Sequence, residues 1–563
     1  VTTTESPIDG PLAAEPPAPP KPVSDEPDAR RSAGVVGIAV MGSRVFGLGR
    51  ELVFTSMFGA GKVLDAYYGA FQIPNLLRDL FAEGSLSTAF TALFARTWDR
   101  EGDEPAWKLA NLTLSAMIFI IGLVSIVAIA AAPLIVEATN FGFHNVPGKF
   151  ELTVSLTRVM FPFILFVSLA AAVMGMLNAR FIFGVPASAS TVFNIVSVIA
   201  GVGLAFLFDE KARATWPHPV FGVASAYGVS LGVLLGGVAQ LGMQLPALFK
   251  LGFRFRWRLE LGNPRLRELW ALMWPSVIAG AAVQVNVVVN GMFASEFDGG
   301  RSWLNCAFRL MQFPIGLFGV SLATVTLPAV ARRFARDDMG AFGRTVRSSM
   351  RLTLFLSVPA AVGLAALARP IIGLIYQHGH FSARDTNETA LVLQAYALGL
   401  AGYAAIKVLT PCFYALNLPR TPLRISLIAI GVNLALNLAN ANFLGFGVAG
   451  LAVATSCVAL ANFGQLCAAL SRQVDFGGLG EWAGFLLRIG LAAAACGAAA
   501  WGVYHLAETR LPAGMLRVLA LMAAIGIAVA IYAAVAFALR IRETTEFIAV
   551  VSRRLSRRRA RAA

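Results

Sequence analysis

The run LANLTLSAMIFIIGLVSIVAIAAAPLIV, Leu109–Val136, holds no charged residue in 28 positions. About 20 apolar residues in a helix span the hydrocarbon core of a bilayer, so this stretch reads as a membrane helix. Similar runs lie on either side of it. In the first part of the chain they are Gly34–Phe58, Tyr67–Phe94, Leu152–Leu177, Val185–Leu207 and Phe221–Leu248. A second set comprises Leu272–Ala294, Trp303–Ala331, Leu352–Tyr376, Ala390–Tyr414, Ile425–Ala441 and Gly447–Leu470, and Trp482–His505 and Leu516–Leu539 complete the series. Roughly fourteen crossings are predicted, joined mostly by short loops rich in Gly, Pro, Asn and charge. The fold class is an all-α integral membrane bundle, because the ten-residue alternation of a membrane β-barrel is absent.

Composition agrees. A chain of 563 residues that is 57% hydrophobic and only 14% charged is too apolar for an ordinary soluble protein. Its net charge of +15 is placed for topology, not for nucleic acid. Basic residues crowd alternate loops: Lys250, Arg254, Arg256, Arg258, Arg265 and Arg267 in one, and Arg332, Arg333, Arg336, Arg344, Arg347 and Arg351 in another. Arg553, Arg554 and Arg557–Arg559 follow in the C-terminal tail. The positive-inside rule puts these loops and both termini in the cytoplasm, where they attract anionic headgroups. Residues 1–33, rich in Pro, Asp, Glu and Thr, read as a disordered cytoplasmic tail without the basic-then-apolar order of a signal peptide. The five cysteines (Cys306, Cys412, Cys457, Cys467 and Cys496) lack paired spacing and read as small core residues.

The chain resembles itself. Phe221-Gly-Val-Ala224 and Gln240-Leu241 recur, equally spaced, as Phe446-Gly-Val-Ala449 and Gln465-Leu466. Leu177-Asn178 with Asn194 recurs as Leu416-Asn417 with Asn433; Leu112-Thr-Leu114 recurs as Leu352-Thr-Leu354, and Pro133 as Pro370. The order is unbroken, which predicts two parallel six-helix repeats and two added C-terminal helices. Transporters rock such repeats about a site at their interface. The organisation is then a tail (1–33), an N-lobe (34–248), a basic linker (249–270), a C-lobe (271–471), a two-helix module (472–541) and a basic tail (542–563).

Ionisable residues inside membrane helices are costly unless they face water or a partner, which makes them functional candidates. Helix one holds Arg44, Arg50 and Glu51; helix two holds Asp65, Arg78, Asp79 and Glu83; helix eight holds Arg309 and helix ten Lys407. At 1.5 Å per residue, Arg50 lies about 9 Å beyond Arg44. Four guanidinium groups at several depths suit an anionic substrate, because Arg grips phosphate bidentately and keeps its charge. Arg44 and Glu51 share a helix face and can pair, whereas Arg78 and Arg309 have no acid three or four residues away. Pro74 and Pro314, with Gly316, are candidate hinges. Asn286 and Asn290, and Asn433 and Asn437 with Thr455, are oxygen-rich spots that can hold a cation or hydrogen-bond between helices.

Ser43-Arg-Val-Phe-Gly47, Arg50-Glu51, Phe58-Gly-Ala-Gly61, Asp65-Ala66, Ile73-Pro-Asn-Leu-Leu-Arg78 and Phe81-Ala-Glu-Gly84 together resemble the N-terminal signature of the MurJ (MviN) lipid II flippases. These belong to the multidrug/oligosaccharidyl-lipid/polysaccharide exporter superfamily. Arg309-Leu-Met311, Phe313-Pro314 and Gly316, then Lys407-Val-Leu409 with Pro411, Phe413 and Tyr414, extend the resemblance. It implies transport, without catalysis, of the undecaprenyl-diphosphate-linked peptidoglycan precursor from the inner to the outer leaflet of the bacterial cytoplasmic membrane. It further implies a cavity lined by Arg44, Arg50, Arg78 and Arg309, a functional acid at Asp65, and supporting roles for Glu51, Glu83 and Lys407. The last two helices would hold the lipid tail. Alternating access would be driven by membrane potential or a Na⁺ or proton gradient, with no cofactor. Lipid II, membrane phospholipids and cell-wall synthesis proteins are the implied partners. The chain departs from the family pattern at Phe308 and Gln312, where acids are common, and at Asp79, where a second basic residue is common.

Other readings remain. One is an exporter of a different polyprenyl-linked oligosaccharide. Another is a membrane glycosyltransferase, but Asp337-Asp338 sit among arginines, and His144, His218, His378, His380 and His505 lack ligand spacing. A third is an inactive scaffold, which would have little use for buried arginines.

Overall fold

The computed structural model describes residues 27–80, 86–512 and 514–545, and among these there are helices and no strands. In the first half the helices are α1 (Pro27–Phe58), α2 (Lys62–Arg78), α3 (Leu86–Glu101), α4 (Asp103–Ala130), α5 (Ala132–Asn140), α6 (Lys149–Met160), α7 (Phe163–Ala179), α8 (Gly184–Phe208), α9 (Glu210–Ala214), α10 (Val223–Gly242) and α11 (Leu245–Lys250). The second half contains α12 (Pro264–Ala294), α13 (Gly300–Pro314), α14 (Ser321–Phe334), α15 (Met339–Ala366), α16 (Ala368–Tyr376), α17 (Ala383–Ala415), α18 (Arg420–Ala439) and α19 (Gly447–Leu470). Last come α20 (Leu479–Arg510) and α21 (Met515–Ala538).

Eleven helical stretches among the described residues are long and apolar enough to cross a membrane. The predicted runs Gly34–Phe58, Tyr67–Phe94 and Leu272–Ala294 fall on α1, on α2 and α3, and on α12, outside those eleven. Arg44, Arg50 and Glu51 on α1, and Asp65, Arg78 and Asp79 on or beside α2, dilute the apolar character of the first two. Helix α1 begins at Pro27, so helix reaches into the stretch assigned to the tail; residues 1–26 lie outside the described residues.

Several predicted runs are broken rods, and the breaks repeat. Helix α4 yields to α5 at Ala131, just before Pro133; α15 yields to α16 at Leu367, just before Pro370. Pro lacks the backbone donor that would continue the ladder, so the matched prolines interrupt matched helices. Pro314 ends α13, and a π-helical stretch, Ile315–Val320, leads into α14. Pro74, in contrast, sits inside α2 without ending it.

Each lobe has its own cores. Phe54, Tyr67, Phe163 and Val229 meet in the N-lobe, and Trp303, Tyr376, Leu393 and Leu451 in the C-lobe. Helix α12 belongs to both: Leu266, Leu269 and Met273 join an N-lobe cluster, whereas Phe293 and Ala294 join the C-lobe. The last two helices dock on α15, where the Tyr532 hydroxyl donates to the Phe355 carbonyl at 2.7 Å and Phe485 and Ile489 are buried. Helix direction sets two ends to the bundle. The near end carries the start of α1 and the basic loops, and the far end carries the connections after α1, α5 and α12.

Candidate functional site

Between the lobes lies a cavity of about 1400 Å³. Among the described residues its lining includes seven basic side chains (Arg44, Arg50, Arg78, Arg301, Arg309, Lys407 and Arg420) and two acidic ones, Glu51 and Asp79. Every guanidinium singled out from the sequence therefore reaches one chamber. Arg44, Lys407 and Arg420 are exposed within it, so the surplus of positive charge in this concave chamber focuses a field that attracts an anion.

Individual contacts show how that charge is presented. Arg309 Nε donates to Glu51 Oε2 at 2.6 Å, joining α13 to α1. Glu51 thus pairs across the lobes with Arg309, not along its own helix with Arg44, because α13 brings a cation closer than the helix face does. Glu51 is almost fully buried while the Arg309 side chain stays 38% exposed, so the acid acts as an anchor. Arg50 lies over the rings of Phe193 and Phe71, at 5.2 and 5.9 Å, and its Nη1 has no hydrogen-bond partner. Arg78 is held by its neighbour Asp79 at 2.8 Å, a pairing at a spacing of one that helix-face arithmetic overlooks. Gln284 of α12 donates to the other Asp79 oxygen at 3.2 Å. The Arg44 guanidinium rests against Gly316, where a side chain would collide with it. Lys407 is exposed within the cavity. Phe308 and Gln312, the two departures on helix eight, line it as well. Glu83 lies outside the described residues.

Two basic lining residues escaped the sequence reading. Arg301 sits at the first turn of α13, two residues before the apolar run, where charge ordinarily means a loop. It is buried, donating to Gln72 Oε1 and to the Thr139 carbonyl, each at 2.6 Å. Arg420 opens α18 at the near end.

Asp65 does not line the cavity. It is fully buried in a lock at the far end. Oδ1 accepts the Ser302 amide (2.9 Å) and hydroxyl (2.6 Å); Oδ2 accepts the Gly299 amide (2.8 Å) and Lys149 Nζ (2.7 Å). Lys149, itself buried, also reaches Asp298 at 2.9 Å. An N-lobe acid thereby fastens the first turn of a C-lobe helix. Around it backbone amides of each lobe bond to the other. His380 N donates to the Ser56 carbonyl at 2.9 Å, and Gly142 N to Ser295 Oγ at 3.0 Å. Gly59 turns with φ +64° directly against the His380 carbonyl, a conformation and a proximity that favour glycine. The far end is closed.

The asparagines converge differently from either predicted pairing. Asn290 is the hub: its Oδ1 accepts the side-chain amides of Asn433 (3.0 Å) and Asn437 (2.9 Å), and its Nδ2 donates to Thr455 Oγ1 (2.9 Å). Asn286 is one turn away and outside this knot. In this arrangement amide nitrogens point inward, while Asn433 Oδ1 and Asn437 Oδ1 have no partner. The set ties α12, α18 and α19 together and contains no carboxylate. Among the described residues no group of three or more His, Cys, Asp and Glu is placed to hold a metal ion. The five cysteines are free thiols, and Cys457 faces outward, contrary to the core reading.

Comparison with known proteins gives the family of the chain. The family model for lipid II flippase MurJ matches residues 54–522. The chain is 33% identical over 492 residues to the lipid II flippase MurJ of Burkholderia cenocepacia, covering 86% of this chain and 92% of that protein. It is 32% identical to a probable lipid II flippase MurJ of Vibrio cholerae, over 91% and 96% of the two chains. A solved MurJ in an inward closed conformation superposes with a TM-score of 0.72 at 25% identity, covering 90% of this chain and 99% of that one. An inward-facing multidrug transporter of the MATE family shares the fold at 13% identity and a TM-score of 0.62, over 78% and 98%. The chain belongs to the lipid II flippase MurJ family.

Proposed function

We propose that this protein carries lipid II across the membrane by alternating access, with the diphosphate held in the arginine-lined cavity and the near end facing the cytoplasm. One observation carries the reading: seven basic side chains against two acidic ones in a chamber closed at its far end. A diphosphate supplies the missing negative charge, and guanidinium forks match its oxygens. Arg44 and Arg420 lie toward the near-end mouth and meet the headgroup first. Arg50, which lines the cavity, and Arg309, held by Glu51 through Nε so that both Nη groups stay free, receive the phosphates deeper in.

Binding here draws α1 and α13 onto one ligand. Release outward then requires the Asp65–Lys149–Ser302 lock to part while the near end closes. The π-helical stretch after Pro314 is a natural place for α13 to bend, since a π turn weakens the regular ladder. The lipid tail stays outside the cavity along α20 and α21, where Leu487 and Met522 are exposed. In this reading residues 34–248 and 271–471 move as lobes, 249–270 links them and 472–541 carries the tail. Both termini are cytoplasmic, and the drive is membrane potential or a Na⁺ or proton gradient.

The test is replacement of the native flippase in a bacterium depleted of it, with surface-exposed lipid II measured alongside growth. Rescue by wild type and failure of well-expressed Arg50→Ala and Arg309→Ala variants supports the reading. Precursor retained inside by well-expressed wild type overturns it and favours another polyprenyl-linked oligosaccharide.

A further inference from the structure

The connection from α11 to α12 is not a free loop. Between turns at 251–252 and 261–262, residues 253–260 run without helix or turn along the near end, and side chains of α4 pin their backbone. Asn111 Nδ2 donates to the Arg254 carbonyl at 3.2 Å, and Asn111 Oδ1 accepts the Arg256 amide at 2.7 Å. Ser115 Oγ, one helical turn further on, accepts the Arg258 amide at 2.9 Å. Phe253 anchors the start of the run in the N-lobe core.

That pinning fixes the depth. Lys108 is the last charge before the uncharged stretch of α4, so hydrocarbon begins near it. Asn111 and Ser115 lie about 4 and 10 Å beyond Lys108 at 1.5 Å per residue. The extended run is therefore held where headgroups meet acyl chains.

Its sequence is amphipathic at the strand period. Alternate side chains of an extended chain face opposite ways, which puts Arg254, Arg256 and Arg258 on one side and Phe255, Trp257 and Leu259 on the other. All six are exposed. Aromatic residues favour the membrane interface, and basic residues there attract anionic lipid. Arg258 is 3.9 Å from Glu260, a weak contact that leaves most of the positive charge available.

We infer that residues 254–259 form a binding site for anionic phospholipid headgroups: the three arginines take the phosphate, while Phe255, Trp257 and Leu259 enter the acyl layer. The site is separate from the cavity and independent of which substrate crosses. By holding the ribbon that leads into α12, the helix shared by both lobes, it makes the lipid composition of the inner leaflet a factor in lobe movement.

The experiment uses the full chain in nanodiscs of phosphatidylcholine and phosphatidylglycerol, with retained lipids counted by native mass spectrometry. Wild type should enrich phosphatidylglycerol. R254Q/R256Q/R258Q should lose that enrichment by roughly tenfold, as expected for several basic residues at an interface. R332Q/R333Q/R336Q makes the same charge change in another basic loop, one without exposed aromatic residues between its arginines, and should cost much less of the enrichment. Equal losses in the two triple variants, or no enrichment by wild type, would overturn the site. Should the first triple variant not fold, quenching by lipids brominated on the acyl chain decides, taken as wild type minus Trp257→Phe. Quenching of the Trp257 contribution supports insertion, and an unquenched contribution overturns it.

Discussion

Glu51 and Arg309 stand on helices of different lobes, yet they meet at 2.6 Å through Nε, the one guanidinium nitrogen that cannot form the two-pronged Nη grip on phosphate. The acid therefore aims the arginine without consuming its paired donors. Glu51→Gln should lower lipid II export at least tenfold, close to Arg309→Ala, because a neutral amide holds the guanidinium less firmly. Lysine cannot copy the fork, so Arg309→Lys should not rescue. The double variant should be no worse than the worse single one, as for residues acting as a unit. Export by Glu51→Gln at the wild-type rate would remove Glu51 from this role.

Asp65 and Lys149 make the opposite use of charge. Both are sealed from solvent; Asp65 is satisfied by Lys149 with the Ser302 and Gly299 donors, and Lys149 by Asp65 with Asp298. Lys149→Met leaves a buried carboxylate without its cation, a change worth about 3–5 kcal/mol for a broken buried pair. The melting temperature should fall clearly, and the far end should open more often. Pairing Lys149→Met with Asp65→Asn removes both charges and should recover part of the loss. A double variant less stable than Lys149→Met alone would contradict the lock.

Much of this was legible before the structure. Charges stand out when they interrupt apolar runs, which is why Arg44, Arg50, Arg78 and Arg309 could be picked out and why all four reach one cavity. Arg301 and Lys149 were hidden by the same logic. They sit at run ends, before Trp303 and Leu152, where a charge ordinarily marks water. Asp65 shows a second limit: its depth was readable, but its partner lies 84 residues away and only packing reveals it. Pro133 and Pro370 were legible as a matched pair of the repeat, but the helix breaks beside them were not, because the predicted runs continue straight through them. Which amide of the four asparagines would become the hub was not, since that depends on how α12, α18 and α19 are placed.

Close backbone contacts at the far end predict a steric test. A Cβ on Gly142 would come within 2.5 Å of the Glu296 backbone, which cannot swing aside as a side chain would. Gly142→Ala should fold, because the clash exists only when the lobes meet, but it should resist far-end closure. In a Ser56→Cys/His380→Cys background, whose parent residues share a 2.9 Å backbone bond, disulfide formation should drop several-fold on adding Gly142→Ala. Unchanged cross-linking would show that the contact yields without cost.

The asparagine knot offers a final discrimination, between a hydrogen-bonded node and a cation site. As a node, Asn290 makes three side-chain bonds, and Asn290→Leu strands the Asn433 and Asn437 amides, while the Thr455 hydroxyl keeps its bond to the Leu451 carbonyl. Stranded buried polar groups cost about 1–3 kcal/mol each, so this variant should destabilise more than Asn433→Ala, which loses one bond to the hub. Both losses should be the same in sodium and potassium buffers, because a neutral cluster whose amide nitrogens point inward gives a cation little to hold. A sodium-specific rise in the wild-type melting temperature that disappears in Asn433→Ala and Asn437→Ala would mean the two amides can turn, presenting the oxygens that have no partner here. The knot would then be a coupling site.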